Sequence, residues 1–277
     1  MWAYLYRLMS REPAIPMEFG HLGHQCLGEL YQSGNLDRVL ALCSSSWSPM
    51  EALVLERARE KGEKPLYTTA KMQEIIRAYQ RQYQEVDSEY KDLGGEEKIE
   101  VRIPGIPIPF VGKMDRLLEH KETKEIVVME WKFSTSTWGY CGRPNNQNVG
   151  YVIGAREKTK YPVRRLLYRL NGVYISSVDG VVPAKKKGGE GRSIFTQDPV
   201  DFDNWDIDEW YKDMMDKFNE WETYDIQGYW PKRTRSCGNF GGCQFIPLCV
   251  APENMRETFA QCNFDVKPED AWDKESV

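Results

Sequence analysis

Gly112-Lys-Met-Asp115, then Ile126-Val-Val-Met-Glu130-Trp131-Lys132-Phe133, then Gln147-Asn-Val-Gly-Tyr151 is the stretch on which the reading of this chain turns. Two carboxylates and a lysine sit inside runs that are otherwise apolar and β-prone. That placement is costly unless the charges find partners. Read as a strand with period two, the second run puts Val127, Met129, Trp131 and Phe133 on one face and Glu130 and Lys132 on the other. Asp115 ends or interrupts the strand before it. The short polar connection Lys121-Glu-Thr-Lys124 predicts an antiparallel hairpin that carries Asp115 alongside Glu130. Adjacent carboxylates repel, and a divalent cation is the usual reason to tolerate them. Lys132 beside that cation could orient a water and stabilise charge growing on a phosphate. A lone Glu-x-Lys on a strand more commonly marks a solvated face with a surface ion pair.

Taken together, Gly112, Asp115, Glu130 and Lys132 resemble the core of the PD-(D/E)xK nuclease superfamily, which runs G-x-x-D, apolar strand, E-x-K. Two further pieces are similar to the RecB-like branch. Gln147 and Tyr151 form Q-x-x-x-Y, a spacing that shares one helix face. Gly20 and His24 form G-x-x-x-H near the N-terminus. The resemblance implies an α/β fold: a mixed β-sheet flanked by helices, with a helical N-terminal cap and a cysteine-bearing C-terminal arm. It also implies that His24, Asp115, Glu130 and the Trp131 backbone carbonyl hold Mg²⁺ or Mn²⁺, and an imidazole among oxygens leans towards Mn²⁺. Asp115, Glu130 and Lys132 are then catalytic. Gln147 and Tyr151 contact DNA or brace the site, with Glu100 as a supporting acid in the upstream strand.

At 277 residues the chain is long enough for one large core, organised as 1–93 (helical, bearing His24), 94–200 (sheet and Q-x-x-x-Y helix) and 201–277 (acidic helix and cysteine arm), one compact domain overall. No apolar run approaches a membrane span and no secretory signal is evident, so an intracellular, cytoplasmic setting is expected. The net charge of −5 hides a dipolar chain. Residues 156–192 carry ten Lys or Arg against three acids, and residues 198–225 carry eleven acids against two lysines, so the basic stretch suits phosphates. Arg164, Arg165, Arg169 and the Lys185–Arg192 loop are the candidates, with a solvated face as the equal alternative.

Along the chain, residues 2–9 read as a first helix and Glu18–Tyr31 as part of a second, in which Gly20 and Gly28 strip bulk from the His24 face. His21 falls on another face and takes no role. Ser48-Pro49-Met50-Glu51 has the form of a capping box opening a helix to about Lys61, and Thr69 opens another to about Tyr90. The sheet is expected to begin at Lys98–Ile103 and to end with strands at Arg164–Leu170 and Gly172–Val182. An acidic helix capped by Asp206 follows, with Trp205, Trp210, Phe218 and Trp221 read as core.

Cys237, Cys243 and Cys249 are evenly spaced in a glycine-rich segment, a pattern that in an intracellular protein points to metal or cluster ligation before disulfides. The segment is similar to the arm of iron–sulfur RecB-like nucleases, the AddB-type and CRISPR-associated relatives, which implies a 4Fe-4S cluster. Their fourth ligand precedes the first helix. Here no cysteine precedes His24, so an upstream residue is expected, with Cys26, Cys43, Cys141 and Cys262 as substitutes.

The expected activity is metal-dependent DNA exonuclease action on single strands or duplex ends, in recombination, repair or phage DNA metabolism, in a bacterial or phage-infected cell. A recombination partner protein is possible, and no P-loop G-x-x-x-x-G-K-[ST] is present to drive a helicase. The rival readings are a catalytically silent DNA-binding scaffold and a structure-specific endonuclease.

Overall fold

The computed structural model describes residues 8–11, 14–135, 145–184, 189–232, 237–238 and 243–266. The helix expected at 2–9 therefore lies outside the described residues up to residue 7, as do Cys141 and Lys185–Lys187. Packing divides the chain into two units: Ile15–Tyr211, and Met1–Ala14 together with Lys212–Val277.

The larger unit opens with three helices, α1 (Ile15–Ser33), α2 (Leu36–Lys61) and α3 (Thr69–Ser88). In α1, Ile15, Phe19, Leu22, Cys26, Leu27 and Leu30 recur at helical spacing and are buried. Asn35 caps α2 by accepting from the Arg38 N–H at 3.0 Å, and Gly62 at φ 65° ends it in the left-handed region. The capping box expected at Ser48 does not open a helix, because α2 runs continuously through Pro49. Glu51 instead reaches α3, where Oε1 accepts from the Thr69 N–H at 3.0 Å. Helix α3 opens at Thr69, as expected, and Thr68 caps it through the Lys71 N–H at 3.1 Å.

A five-stranded mixed sheet follows, formed by β2 (Tyr90–Val101), β3 (Phe110–His120), β4 (Ile126–Ser134), β5 (Arg165–Gly172) and β8 (Phe195–Asp201), in the order β2-β3-β4-β5-β8. All neighbours are antiparallel except β4 and β5, which run parallel from Val127↔Arg165 to Ser134↔Gly172. That parallel pair requires a crossover, supplied by α4 (Asn146–Thr159). The helices α1 to α3 form one core with Leu118, Val127, Met129, Trp131 and Leu167. The side chains of alternate residues, Glu130 and Lys132 among them, face α4. The mixed α/β architecture expected from the sequence is the one observed.

Two boundaries differ from expectation. The sheet begins at Tyr90, and β2 passes through Gly94-Gly95 with a register shift between Asp92 and Gly94. The strand expected at Gly172–Val182 is absent beyond Gly172. Asp179 and Gly180 both take positive φ, 51° and 84°, and reverse the chain between Val178 and Val181, whose N–H and C=O groups pair. Only β6 (Val181–Val182) remains, paired with β7 (Arg192–Ser193). The fifth strand, β8, carries Pro199 opposite Leu167, which an edge strand tolerates.

Helix α5 (Asn204–Gln227) crosses the boundary between the units at Tyr211. Its cap is Asp203, not Asp206: Asp203 Oδ1 accepts from the Trp205 and Asp206 N–H groups, and Asp206 Oδ2 accepts in return from the Asp203 N–H at 2.8 Å. Of the four aromatics read as core, only Trp210 is buried, while Trp205 is 67% exposed and Trp221 39%. In the smaller unit, β1 (Leu8–Ser10) pairs antiparallel with β9 (Phe264–Val266), so Leu8–Ser10 are strand rather than helix. Arg11 Nε donates to Asp265 at 2.9 Å and Nη1 to the Cys262 carbonyl at 2.8 Å. Between lie α6 (Ile246–Val250) and α7 (Glu253–Asn263), packed around Leu248 and Phe264.

Two arginines are buried in the larger unit. Arg169 on β5 donates to Gln197 at 2.7 Å and to the Tyr79 hydroxyl at 2.6 Å, pairs with Asp87 at 2.6 Å and stacks 3.9 Å from the Tyr83 ring centroid. Arg116 pairs with Asp92. Arg169 is therefore not available to a phosphate, and Arg165 is held by Asp201 at 2.7 Å. Removing one partner of a buried pair strands the other charge. Asp87→Ala is expected to cost about 3–5 kcal/mol in urea unfolding, whereas Asp201→Ala at the partly exposed Arg165 pair costs under about 1 kcal/mol.

Candidate active site

The site forms where β3 and β4 part. Their ladder runs from Glu119↔Ile126 to Arg116↔Met129 and stops there. One residue further, the Asp115 side chain takes over the role of a strand neighbour. Its Oδ2 accepts the Trp131 N–H at 2.6 Å. Its Oδ1 meets His24 Nδ1 of α1 at 2.7 Å. Asp115 thus joins two strands and a helix, and the expected hairpin is the device that brings it there.

Glu130 and Lys132 share a face, as period two requires, and pair with each other. Lys132 Nζ also lies 3.5 Å from Gln147 Oε1 on α4, and Gln147 Nε2 donates to the Tyr151 hydroxyl at 2.6 Å. The Q-x-x-x-Y pair therefore joins the E-x-K pair in one chain of contacts. Gly112 makes room for it: a Cβ there would lie 2.5 Å from the Tyr151 ring. On α1 the close approach falls at Gly23, where a Cβ would lie 2.3 Å from the Phe133 ring. Gly20 borders open space and Gly28 lies near Arg116, so the expectation that these two admit a close neighbour is met only loosely.

Burial and charge set unusual proton affinities. Burial works against the charge on His24, but Asp115 across their hydrogen bond outweighs it and raises the histidine pKa. Burial would raise Asp115, yet His24, Lys132 and the Trp131 N–H hold it low. Burial, together with the Asp115 charge, pushes Glu130 up to about 8 despite Lys132. Glu130 Oε2 is buried without a hydrogen-bond partner. A buried carboxylate oxygen with an open valence, beside a second carboxylate, is the donor chemistry a hard cation satisfies. With Nδ1–H donated to Asp115, His24 keeps Nε2 as a further donor, the arrangement common to metal-binding histidines. The residues present therefore fit a divalent cation. In the protein alone they are tied to one another, and among the described residues no three His, Cys, Asp or Glu stand in ligating geometry.

Other expected site residues lie elsewhere. Glu100 is exposed on β2 and pairs with Lys98 at 3.5 Å; no contact joins it to Asp115 or Glu130. Cys237 and Cys243 are brought together through the Cys243 N–H and Cys237 carbonyl at 2.8 Å, and Cys249 lies in α6. Among the proposed substitutes, Cys26 and Cys43 are buried in the core of the larger unit, and Cys262 is exposed in the smaller. One bracing residue escaped the sequence reading. Asn171, fully buried on β5, donates to the Lys132 carbonyl at 3.2 Å, and its Oδ1 has no partner. An asparagine within Leu166-Leu-Tyr-Arg-Leu-Asn171 was the available signal.

The Glu130 shift fixes a pH dependence. Its folded pKa lies above the ordinary 4.5, so between about 4.5 and 8 the folded chain holds a proton that the unfolded chain has released. Stability is lost as pH rises through that window, by up to ~1.4 kcal/mol per unit. The raised His24 acts with the same sign. Thermal melts of metal-free protein should fall from pH 5 to pH 8, and Glu130→Gln should flatten the fall and raise the midpoint at pH 8. An unchanged slope in Glu130→Gln would refute the assignment.

Comparison with known proteins agrees with this geometry. A family model described as the PD-(D/E)XK nuclease superfamily matches residues 1–250. No curated protein matches the chain. With a five-stranded mixed sheet, an acid at the parting of two strands and E-x-K beside it, the chain belongs to the PD-(D/E)XK nuclease superfamily.

Proposed function

We propose that this chain is a metal-dependent deoxyribonuclease of the RecB-like branch, acting as an exonuclease on DNA ends. The observation that carries the metal-dependent part is Glu130 Oε2, buried and unpartnered beside the His24–Asp115 pair. The branch and the exonuclease mode rest on G-x-x-x-H and Q-x-x-x-Y, supported by the contacts of His24 with Asp115 and of Gln147 with Lys132.

In this reading His24, Asp115, Glu130 and the Trp131 carbonyl would hold Mg²⁺ or Mn²⁺, which supplies Lewis-acid stabilisation of phosphate charge. Lys132, released from its pairing with Glu130, presents an ammonium that positions the attacking water and neutralises charge on the phosphate. Gln147 limits where Lys132 can point, and Tyr151 holds Gln147. Asn171 fixes the Lys132 backbone through its carbonyl. Asp115 is anchored by the Trp131 N–H.

The cysteine arm is proposed to carry a 4Fe-4S cluster on Cys237, Cys243 and Cys249, supported by their spacing and by the backbone bond between the first two. The chemistry above does not pass through it. DNA metabolism in recombination or repair, with a recombination partner and in the cytoplasm of a bacterial or phage-infected cell, completes the proposal. No described helix is long and apolar enough to cross a membrane.

End-labelled linear DNA incubated with Mn²⁺ or Mg²⁺ should lose label, EDTA should prevent it, and Lys132→Ala should lower the rate by roughly 100-fold or more. Covalently closed circles should remain intact; their cleavage would make the enzyme an endonuclease. Iron and acid-labile sulfide should copurify with the chain and be lost in Cys249→Ser. Zinc in their place would overturn the cluster.

A further inference from the structure

The larger unit holds a surface pocket of about 800 Å³ that takes no part in the site above. It lies where the end of α4 and the start of β5 meet the N-terminus of α5, and its lining includes Arg156, Lys160, Tyr161, Arg164, Asp203 and Trp205. Three cations stand against one carboxylate. That carboxylate is committed: Asp203 Oδ1 accepts from the Trp205 and Asp206 N–H groups at 2.8 and 3.1 Å. Arg156 is fixed by donating Nε to the Val163 carbonyl. Its pKa is lowered by burial and by the charge of Arg164, two guanidiniums repelling at close quarters. Arg164 and Lys160 are exposed, and among the described residues neither has an ion pair with an acid, whereas Arg116, Arg165 and Arg169 of the same unit each have one. Beside these cations Trp205 is 67% exposed and Tyr161 37%.

Uncompensated cations interleaved with exposed aromatic rings are what an unpaired nucleic-acid strand recognises: phosphates take the charges and bases take the ring faces. Duplex DNA offers no free base faces for Trp205. We propose that this pocket binds single-stranded DNA, holding phosphates on Arg156, Lys160 and Arg164 and stacking unpaired bases on Trp205 and Tyr161. The inference rests on the nuclease reading for its biological sense, though not for its test. Helix α4 connects the two places, with Gln147 and Tyr151 in its first half and Arg156 in its last turn. At 1.5 Å per residue, Gln147 and Arg156 are about 14 Å apart along the axis, roughly four stacked nucleotides at 3.4 Å each. The pocket is therefore displaced along α4 from the active-site residues by about the length of four stacked nucleotides.

The test is fluorescence anisotropy of a labelled oligothymidylate in EDTA, with the full chain carrying Lys132→Ala so that nothing is cleaved. Adding Trp205→Ala should weaken binding roughly 5- to 150-fold on the oligothymidylate and leave an abasic strand of the same length unaffected. Adding Lys160→Ala with Arg164→Ala should weaken both strands and reduce the log-log salt slope by about 1.4. All three side chains are exposed, and unchanged thermal melts confirm folding. Unchanged strand binding in both variants overturns the proposal, even if the wild-type chain cleaves DNA. Equal losses on a blunt, closed-end duplex overturn the single-strand assignment. Loss of strand binding in these variants with no cleavage by the wild-type chain would uphold the pocket and sink the nuclease reading instead.

Discussion

The hydrogen bond from the Trp131 N–H to Asp115 Oδ2 is the interaction on which the rest of the site depends. Antiparallel strands that stay paired leave no space for chemistry between them, because each N–H and C=O is satisfied by its neighbour. Here the β3–β4 ladder stops at Arg116↔Met129, and the Asp115 carboxylate accepts the next N–H in place of a carbonyl. The strands can separate without leaving a buried orphan donor. The gap so made is where His24 reaches in from α1 and where Glu130 turns its free oxygen. Trp131 serves twice, since its ring lies in the helix-covered core and donates to Tyr79 at 2.9 Å while its backbone holds the acid.

That core is unusually polar, which follows from how the sheet meets its helices. Arg169 and Arg116 project into the layer of α1 and α3, and both have carboxylates and aromatic rings placed around them. Tyr31 on α1 donates to Asp87 on α3 at 2.6 Å and lies 3.1 Å from Arg169, so one hydroxyl joins α1, α3 and β5. Such pairs contribute little net stability compared with apolar packing of the same volume, but losing either partner strands the other charge, so the elements they join must stay together. The helix bearing His24 is thereby registered against the strands bearing Asp115 and Glu130.

The motifs that were legible from sequence are those set by local periodicity. Glu130 and Lys132 share a face because a strand alternates, and Gln147 and Tyr151 meet because residues four apart on a helix are neighbours. The reading failed where a partner came from far along the chain. Leu8–Ser10 pair with residues 264–266, a partnership that no window around residue 8 contains. Ser48-Pro49 carries a local signal for a helix start that the preceding helix overrides, running through Pro49 with Trp47 and Val54 buried on either side of it. Arg169 looked like a phosphate ligand by composition, and only the folded chain shows Asp87 and Tyr79 already around it. The turn at Asp179-Gly180, by contrast, is legible in the sequence, because Asp-Gly between apolar residues is a strong hairpin signal.

The electrostatics of the site and of the fold pull in opposite directions, and Glu130 is where they meet. Buried beside Asp115, its carboxylate is hard to ionise, so the protein alone gives up stability there as pH rises. A bound cation would reverse the sign of that contribution, because the ionised form of Glu130 would then be the favoured one. Lys132 already performs part of this function by pairing with Glu130, but an ammonium so engaged is not directed at a phosphate. The proton on Glu130 is thus what a cation held by His24, Asp115 and Glu130 would displace, and its binding would turn Lys132 from a counter-ion into a group aimed at substrate.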